Sequence, residues 1–181
     1  PGTVLNKKDL GNVSGIEFLN KIFFVSNGVM LGQLREISGV DGSTLQNWVK
    51  RGWIGNTVNK RYSKDQLARI LIINMMRSSM MLEKIDYILH YINGNIEDKS
   101  DDIISEAELY GYICDIYDEF TDSGLHKVED LRVIIDKVTK EKYAEPFEGA
   151  KTRLDKALEI ILVAYFASNA AAFANILFNA L

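Results

Sequence analysis

Residues 31–62, LGQLREISGVDGSTLQNWVKRGWIGNTVNKRY, constrain the fold more than any other stretch of this chain. Leu34 and Ile37 lie three residues apart and form a small apolar face, and Ser38-Gly39-Val40-Asp41-Gly42 is turn chemistry. Gly39 can supply the positive φ that a helix-to-helix corner commonly needs, having no Cβ to clash. Ser43 is the expected N-cap of a second helix, in which Leu45, Trp48 and Val49 fall at i, i+3 and i+4. Those three must face inward. Thr44, Gln46, Asn47, Lys50 and Arg51 then face outward, and Gly52 stops the helix. Two short helices about a tight corner, the second presenting amides, a hydroxyl and cations, have the geometry of a helix-turn-helix.

The stretch from Trp53 to Tyr62 predicts a small β-hairpin, with two extended pieces around Asn56. Its tip would carry Asn56, Thr57 and Asn59, and its return Lys60 and Arg61. Trp53 reads as the residue that seals the hairpin onto the helices. Tyr62 reads either as a second seal or as a phosphate contact beside Asn59, Lys60 and Arg61. Ser63-Lys64-Asp65-Gln66 is a capping box that opens a helix to about Met76.

In order and spacing, these segments resemble MerR-type winged-helix regulators. Leu31-Gly32-Gln33-Leu34 with Ser38-Gly39-Val40 is similar to that family's opening helix and turn. Ser43 to Ile54 is placed like its recognition helix and the step that follows, and Lys60 to Ile70 like the end of its wing and the next helix. The resemblance covers residues 31–94. The whole chain also resembles a group of uncharacterised bacterial MerR-like proteins that carry Gln-Asn-Trp-Val-Lys-Arg-Gly-Trp in place of the usual signature. Gln46 stands where the family has arginine, and the wing is short. The resemblance implies a winged helix-turn-helix with a small β wing, acting as a homodimer on double-stranded DNA.

The net charge of −4 argues by itself against nucleic acid, but it is unevenly spread. Residues 1–30 carry +1, residues 31–94 carry +4 and residues 95–181 carry −9. Between Val49 and Tyr62 there are four cations and no acid. A basic module beside an acidic one suits a DNA-binding head joined to a partner or effector region.

Cys114 is the only cysteine, so no disulfide framework exists within the chain, and a reducing cytoplasm is the expected compartment. Neither His90 nor His126 has a second histidine or a cysteine at i+3 or i+4, and no metal or cofactor site is expected. The first ten residues are polar and do not read as a secretory leader. The apolar run from Ala157 to Leu181 raises the question of a membrane span. Glu159, Ser168, Asn169, Asn175 and Asn179 would be costly in lipid, so a buried or dimer-forming helix is the expectation.

The rest of the chain reads as helices, giving a mainly α fold class. Ser14-Gly15-Ile16-Glu17 caps one helix in an N-terminal segment, residues 1–30. After the winged region, residues 31–94, the polar run Asn95–Asp102 is the expected junction to an acidic all-helical region, residues 95–181. There Ser105 and Glu108 cap a helix whose Leu109, Tyr112, Ile113, Ile116, Tyr117 and Phe120 form one stripe. Val128, Leu131, Ile134, Ile135 and Val138 mark the next helix, and Pro146 interrupts the pattern. A long last helix, from about Glu148 to Asn179, carries two apolar stripes. It is expected to be central to a bundle or covered by a second chain.

No motif of enzymatic chemistry is present: no glycine-rich phosphate loop, no GxSxG, no HExxH. The expectation is a DNA-binding transcription regulator and not an enzyme. Ser43, Thr44, Gln46 and Asn47 would face the major groove, where Gln and Asn suit adenine. Lys50, Arg51, Asn59, Lys60, Arg61 and Tyr62 would take phosphates. Tyr112, Tyr117, Phe120, Tyr165 and Phe166 are candidates for a small-molecule effector pocket, with plain core packing the simpler reading. The alternative is a winged-helix protein-interaction module without DNA contact, favoured if acids of residues 95–181 pair with the basic patch.

Overall fold

In a computed structural model of the protein, described residues are 11, 13–24, 26–124 and 127–181, so His126 lies outside them. Capping boxes start three of the helices. Ser14 and Glu17 open α1 (Gly15–Phe23), Ser63 and Gln66 open α4 (Lys64–Met76), and Ser105 and Glu108 open α6 (Glu106–Asp122). In each, the hydroxyl accepts from the third helical N–H and the acidic or amide side chain reaches back to the cap N–H. Between them run β1 (Val29–Met30), α2 (Leu31–Ser38), α3 (Gly42–Lys50) and β2 (Arg61–Tyr62). α5 (Leu82–Asn93), α7 (Val128–Lys142) and α8 (Ala150–Asn179) complete the described chain, which is mainly helical with one two-stranded sheet.

One hydrophobic core runs from Leu19 to Ala164 and draws on residues before, within and after the 31–94 segment. α4 lies at its centre, packed against α6 and α8, with Leu67, Ile70, Ile72, Ile73 and Met76 all buried. α1 lies on α6 at Gly15, where an added Cβ would come within 2.6 Å of Cys114 Sγ. Glycine there lets the two backbones approach.

A buried charge cluster ties the head to the acidic region. Arg69 of α4 is 3% exposed. Its Nε donates to the Trp53 carbonyl at 2.6 Å, its Nη1 to Glu106 at 2.9 Å, and its Nη2 faces Asp86 at 3.5 Å. Lys99 closes the other side, 3.1 Å from Glu106 and 3.0 Å from Asp102. The His90 ring nitrogen lies 3.2 Å from Asp86, its neighbour one turn earlier, a pairing missed by looking only at i+3 and i+4.

α8 differs from expectation along its length. It begins at Ala150, and Leu154, Ala157, Leu158, Ile161, Leu162, Ala164 and Ser168 are buried. Residues 169–181 are all exposed, including Phe173, Ile176, Leu177 and Phe178. The helix is therefore central to the bundle only in its first half. The second half runs past the last element that packs on it. By length and composition α8 could cross a membrane, but its first half is core and carries Lys151, Arg153, Asp155, Lys156 and Glu159.

Candidate nucleic-acid interface

The corner between α2 and α3 is closed by local hydrogen bonds. Gly39 takes the left-handed conformation, φ 67°, and its N–H returns to the Arg35 carbonyl at 2.9 Å. Ser38 Oγ donates to Leu34 O at 2.7 Å and accepts from Val40 N–H at 3.2 Å. From α4, Asn74 Nδ2 donates to the Ser38 carbonyl at 3.1 Å, so the corner is held from beneath.

The N-cap of α3 is Asp41, two residues before the expected Ser43. Its carboxylate accepts from Thr44 N–H at 2.9 Å, Thr44 Oγ1 at 2.6 Å and Ser43 Oγ at 2.5 Å. A carboxylate with three donors outcompetes a hydroxyl as a cap, and these bonds hold the Asp41 carboxyl well below the usual carboxylate range. The Ser43 and Thr44 hydroxyls are thereby engaged within the helix start.

Leu45 and Trp48 are buried and Val49 is half-buried, as the spacing required. Gln46, Asn47 and Lys50 are exposed on the other side of α3, with no side-chain partner among the described residues. Arg51 caps the helix and is bound twice, over the Trp53 ring at 5.1 Å and to Glu83 at 3.7 Å. Trp53 itself is buried, the sealing role expected of it.

The hairpin differs from the one expected. Its tip is Asn59-Lys60, flanked by a Val58–Arg61 bridge, and not Asn56. Asn59 and Lys60 have φ of 51° and 59°, the two consecutive left-handed residues that a tight type I′ hairpin turn requires. Asn56 is drawn away instead: Gln66 Nε2 donates to the Gly55 and Asn56 carbonyls, and Asn56 faces Glu97 at 3.4 Å. The return strand β2 pairs antiparallel with β1, Val29 opposite Tyr62 and Met30 opposite Arg61. A strand preceding the helix-turn-helix thus forms half of the sheet. Sequence spacing alone hid this, because 31 residues separate the partners.

Arg61 Nη1 donates to the Gly28 carbonyl at 2.9 Å, while Lys60 at the tip has no partner among the described residues. Tyr62 is 6% exposed and belongs to the core, not to the exposed face expected for a phosphate contact; burial also raises its hydroxyl pKa. The exposed cations and amides are therefore Gln46, Asn47, Lys50, Arg51, Asn59, Lys60 and Arg61.

Of the five aromatic candidates in the acidic half, four come together. Tyr117 lies 5.2 Å from Tyr165 and 5.6 Å from Phe166, and Phe120 5.1 Å from Phe166. Tyr112 lies apart, edge-on to Tyr143 at 6.4 Å, because its position on α6 faces the end of α7. Tyr117 and Tyr165 border a cavity of about 180 Å³ between α4, α6 and α8. Asn74, the residue that holds the α2–α3 corner, also borders it. Neither Asn74 nor the Arg69–Glu106 pair was foreseen; no local pattern marks either. Among the described residues, no group of three or more His, Cys, Asp or Glu side chains could hold a metal ion.

Residues 18–113 match the family described as a domain of unknown function, DUF1836. The chain belongs to this family. The matched DUF1836 region runs from α1 through the α2–α3 corner, the hairpin and the Arg69 cluster to Ile113. The chain is also similar to the uncharacterized protein YkrK of Bacillus subtilis (strain 168), 34% identical over 119 residues, 62% of this chain and 51% of YkrK. The chain thus spans about half the length of that curated relative. No solved structure matches the chain.

Proposed function

We propose that this DUF1836 protein is a DNA-binding transcription regulator of the MerR-like winged helix-turn-helix kind. α3 would enter the major groove and the Asn59-Lys60 hairpin would serve as its wing. One observation carries the reading. Gln46, Asn47 and Lys50 stand exposed on α3 with no side-chain partner among the described residues, opposite a face sealed by Leu45 and Trp48. Amides on such a helix suit base edges, and the cations at its end and on the hairpin suit phosphates.

The alternative, a protein-interaction module, drew its support from acids of residues 95–181 covering the basic patch. Among the described residues no such pair is found: Arg51 meets Glu83 of α5, and Glu97 meets Asn56. A homodimer built on the bare end of α8 completes the proposal. A two-fold pair would place two α3 helices on one operator and cover Phe173, Ile176 and Leu177.

Fluorescence anisotropy with a mixed pool of duplex DNA tests the reading, at low and near-physiological salt. The wild type should bind with affinity that falls steeply as salt rises. Lys50→Glu combined with Lys60→Gly should lose that binding with its circular dichroism unchanged. Absence of binding by the wild type at low salt would overturn the regulator reading.

A further inference from the structure

The cavity between α4, α6 and α8 has a chemistry of its own. Three tyrosines, Tyr110, Tyr117 and Tyr165, share its wall with the apolar side chains Leu71, Met75 and Ile113. Asn74 and Asp118 supply the polar edge, and among the described residues no lysine or arginine borders it. Its volume of about 180 Å³ compares with the roughly 150 Å³ that holds a benzene-sized guest in an apolar cavity. Its α6 and α8 walls belong to the part of the chain that carries −9, and its α4 wall to the part that carries +4.

We propose that this cavity binds a small organic ammonium ion, of the trimethylammonium or arylammonium class. The three tyrosine rings of its wall carry π-systems that attract a weakly hydrated cation. Clusters of aromatic rings are the usual means of holding quaternary ammonium groups. An anionic guest is disfavoured on the same grounds, since it would lose hydration with no cation among the described lining residues to replace the water. An ammonium head with a short tail fits the space, whereas drug-sized ligands need pockets of roughly 300 Å³ or more. The proposal stands independently of whether the chain binds DNA.

Titration calorimetry on the full chain tests it, with choline as the probe and 3,3-dimethylbutan-1-ol as its uncharged carbon isostere, at matched ionic strength. Choline should bind roughly tenfold more tightly than the alcohol, the scale of a desolvated cation–ring contact. Tyr117→Leu should abolish choline binding and Tyr165→Leu should weaken it, both with unchanged circular dichroism. Equal binding of choline and the alcohol would overturn the proposal, leaving an apolar cavity without charge selectivity. Absence of choline binding at millimolar concentration would overturn it as well. The comparison of the two probes on the wild type needs no variant to fold.

Discussion

Arg69 and Glu106 meet at 2.9 Å with both side chains almost wholly buried, joining the helix after the hairpin to the first turn of the acidic region. Buried pairs of this kind do not add much net stability over an apolar pair, but removing one partner leaves the other charge desolvated. Arg69→Met should therefore cost about 3–5 kcal/mol in chemical denaturation followed by circular dichroism. Combining it with Glu106→Leu should recover much of that loss, and a double variant as unstable as the sum of the singles would contradict the pairing.

Asp41 makes acid stability depend on the start of α3. Its folded-state pKa is depressed by the hydrogen bonds from Ser43 and Thr44. Its contribution to stability is therefore fully present above the ordinary carboxylate pKa of about 3.9 and is lost as pH falls from there toward the depressed value. Asp41→Asn keeps a capping oxygen without the titration. Thermal melts at descending acid pH should fall less steeply for the variant than for the wild type.

Lys60 holds a positive φ at the hairpin tip without being glycine. Lys60→Gly should relieve roughly 1 kcal/mol of left-handed strain and raise the melting temperature. The same variant removes an exposed cation, so under the proposed function it should bind DNA more weakly and lower the salt slope by about one. Stability up and affinity down in one protein is an outcome that general unfolding cannot mimic.

The bare end of α8 predicts a separable change in assembly. Phe173→Glu with Leu177→Glu replaces two exposed side chains outside the core. The helical circular dichroism should be retained, while sedimentation equilibrium should shift from dimer to monomer. A wild type that is monomeric at all concentrations would remove the α8 end as a self-association surface.

Asn74 is the route by which the cavity reaches the helix-turn-helix corner. Asn74→Ala removes the bond to the Ser38 carbonyl, worth about 1 kcal/mol. Under the proposed function, DNA affinity should drop although no exposed residue of α3 is altered. Cavity ligands that change DNA affinity in the wild type should lose that effect in the variant, since coupling between sites is reciprocal and needs a shared element.

Much of this fold is legible in the sequence because its signals are local. Ser14 with Glu17, Ser63 with Gln66 and Ser105 with Glu108 act within one helical turn, and Leu45 with Trp48 declares the buried side of α3 by spacing alone. What escaped depends on contacts between distant residues. Val29 opposite Tyr62 requires the chain to turn back across the α2–α3 corner, and Arg69 beside Glu106 requires α4 and α6 to pack together. The α3 cap was misplaced by two residues because Asp41 and Ser43 are both competent caps, and only the number of donors each can gather separates them. The candidate interface was legible as a list of exposed types. The loss of Tyr62 to the core and the tie of the still exposed Arg61 to the Gly28 carbonyl came from the sheet that the spacing concealed.

The free end of α8 also acts as a ruler. Beyond Ser168 the helix continues for about 17 Å at 1.5 Å per residue with nothing resting on it. In a two-fold dimer assembled there, the length of that rod sets how far apart the two α3 helices stand, and its pitch sets which way each one faces. Inserting seven residues, two near-integral turns, would keep the facing side and lengthen the span. Inserting two would swing the apolar side round by about 200° and separate the partners altogether. The spacing of an operator's half-sites would then be written in a segment that touches no base.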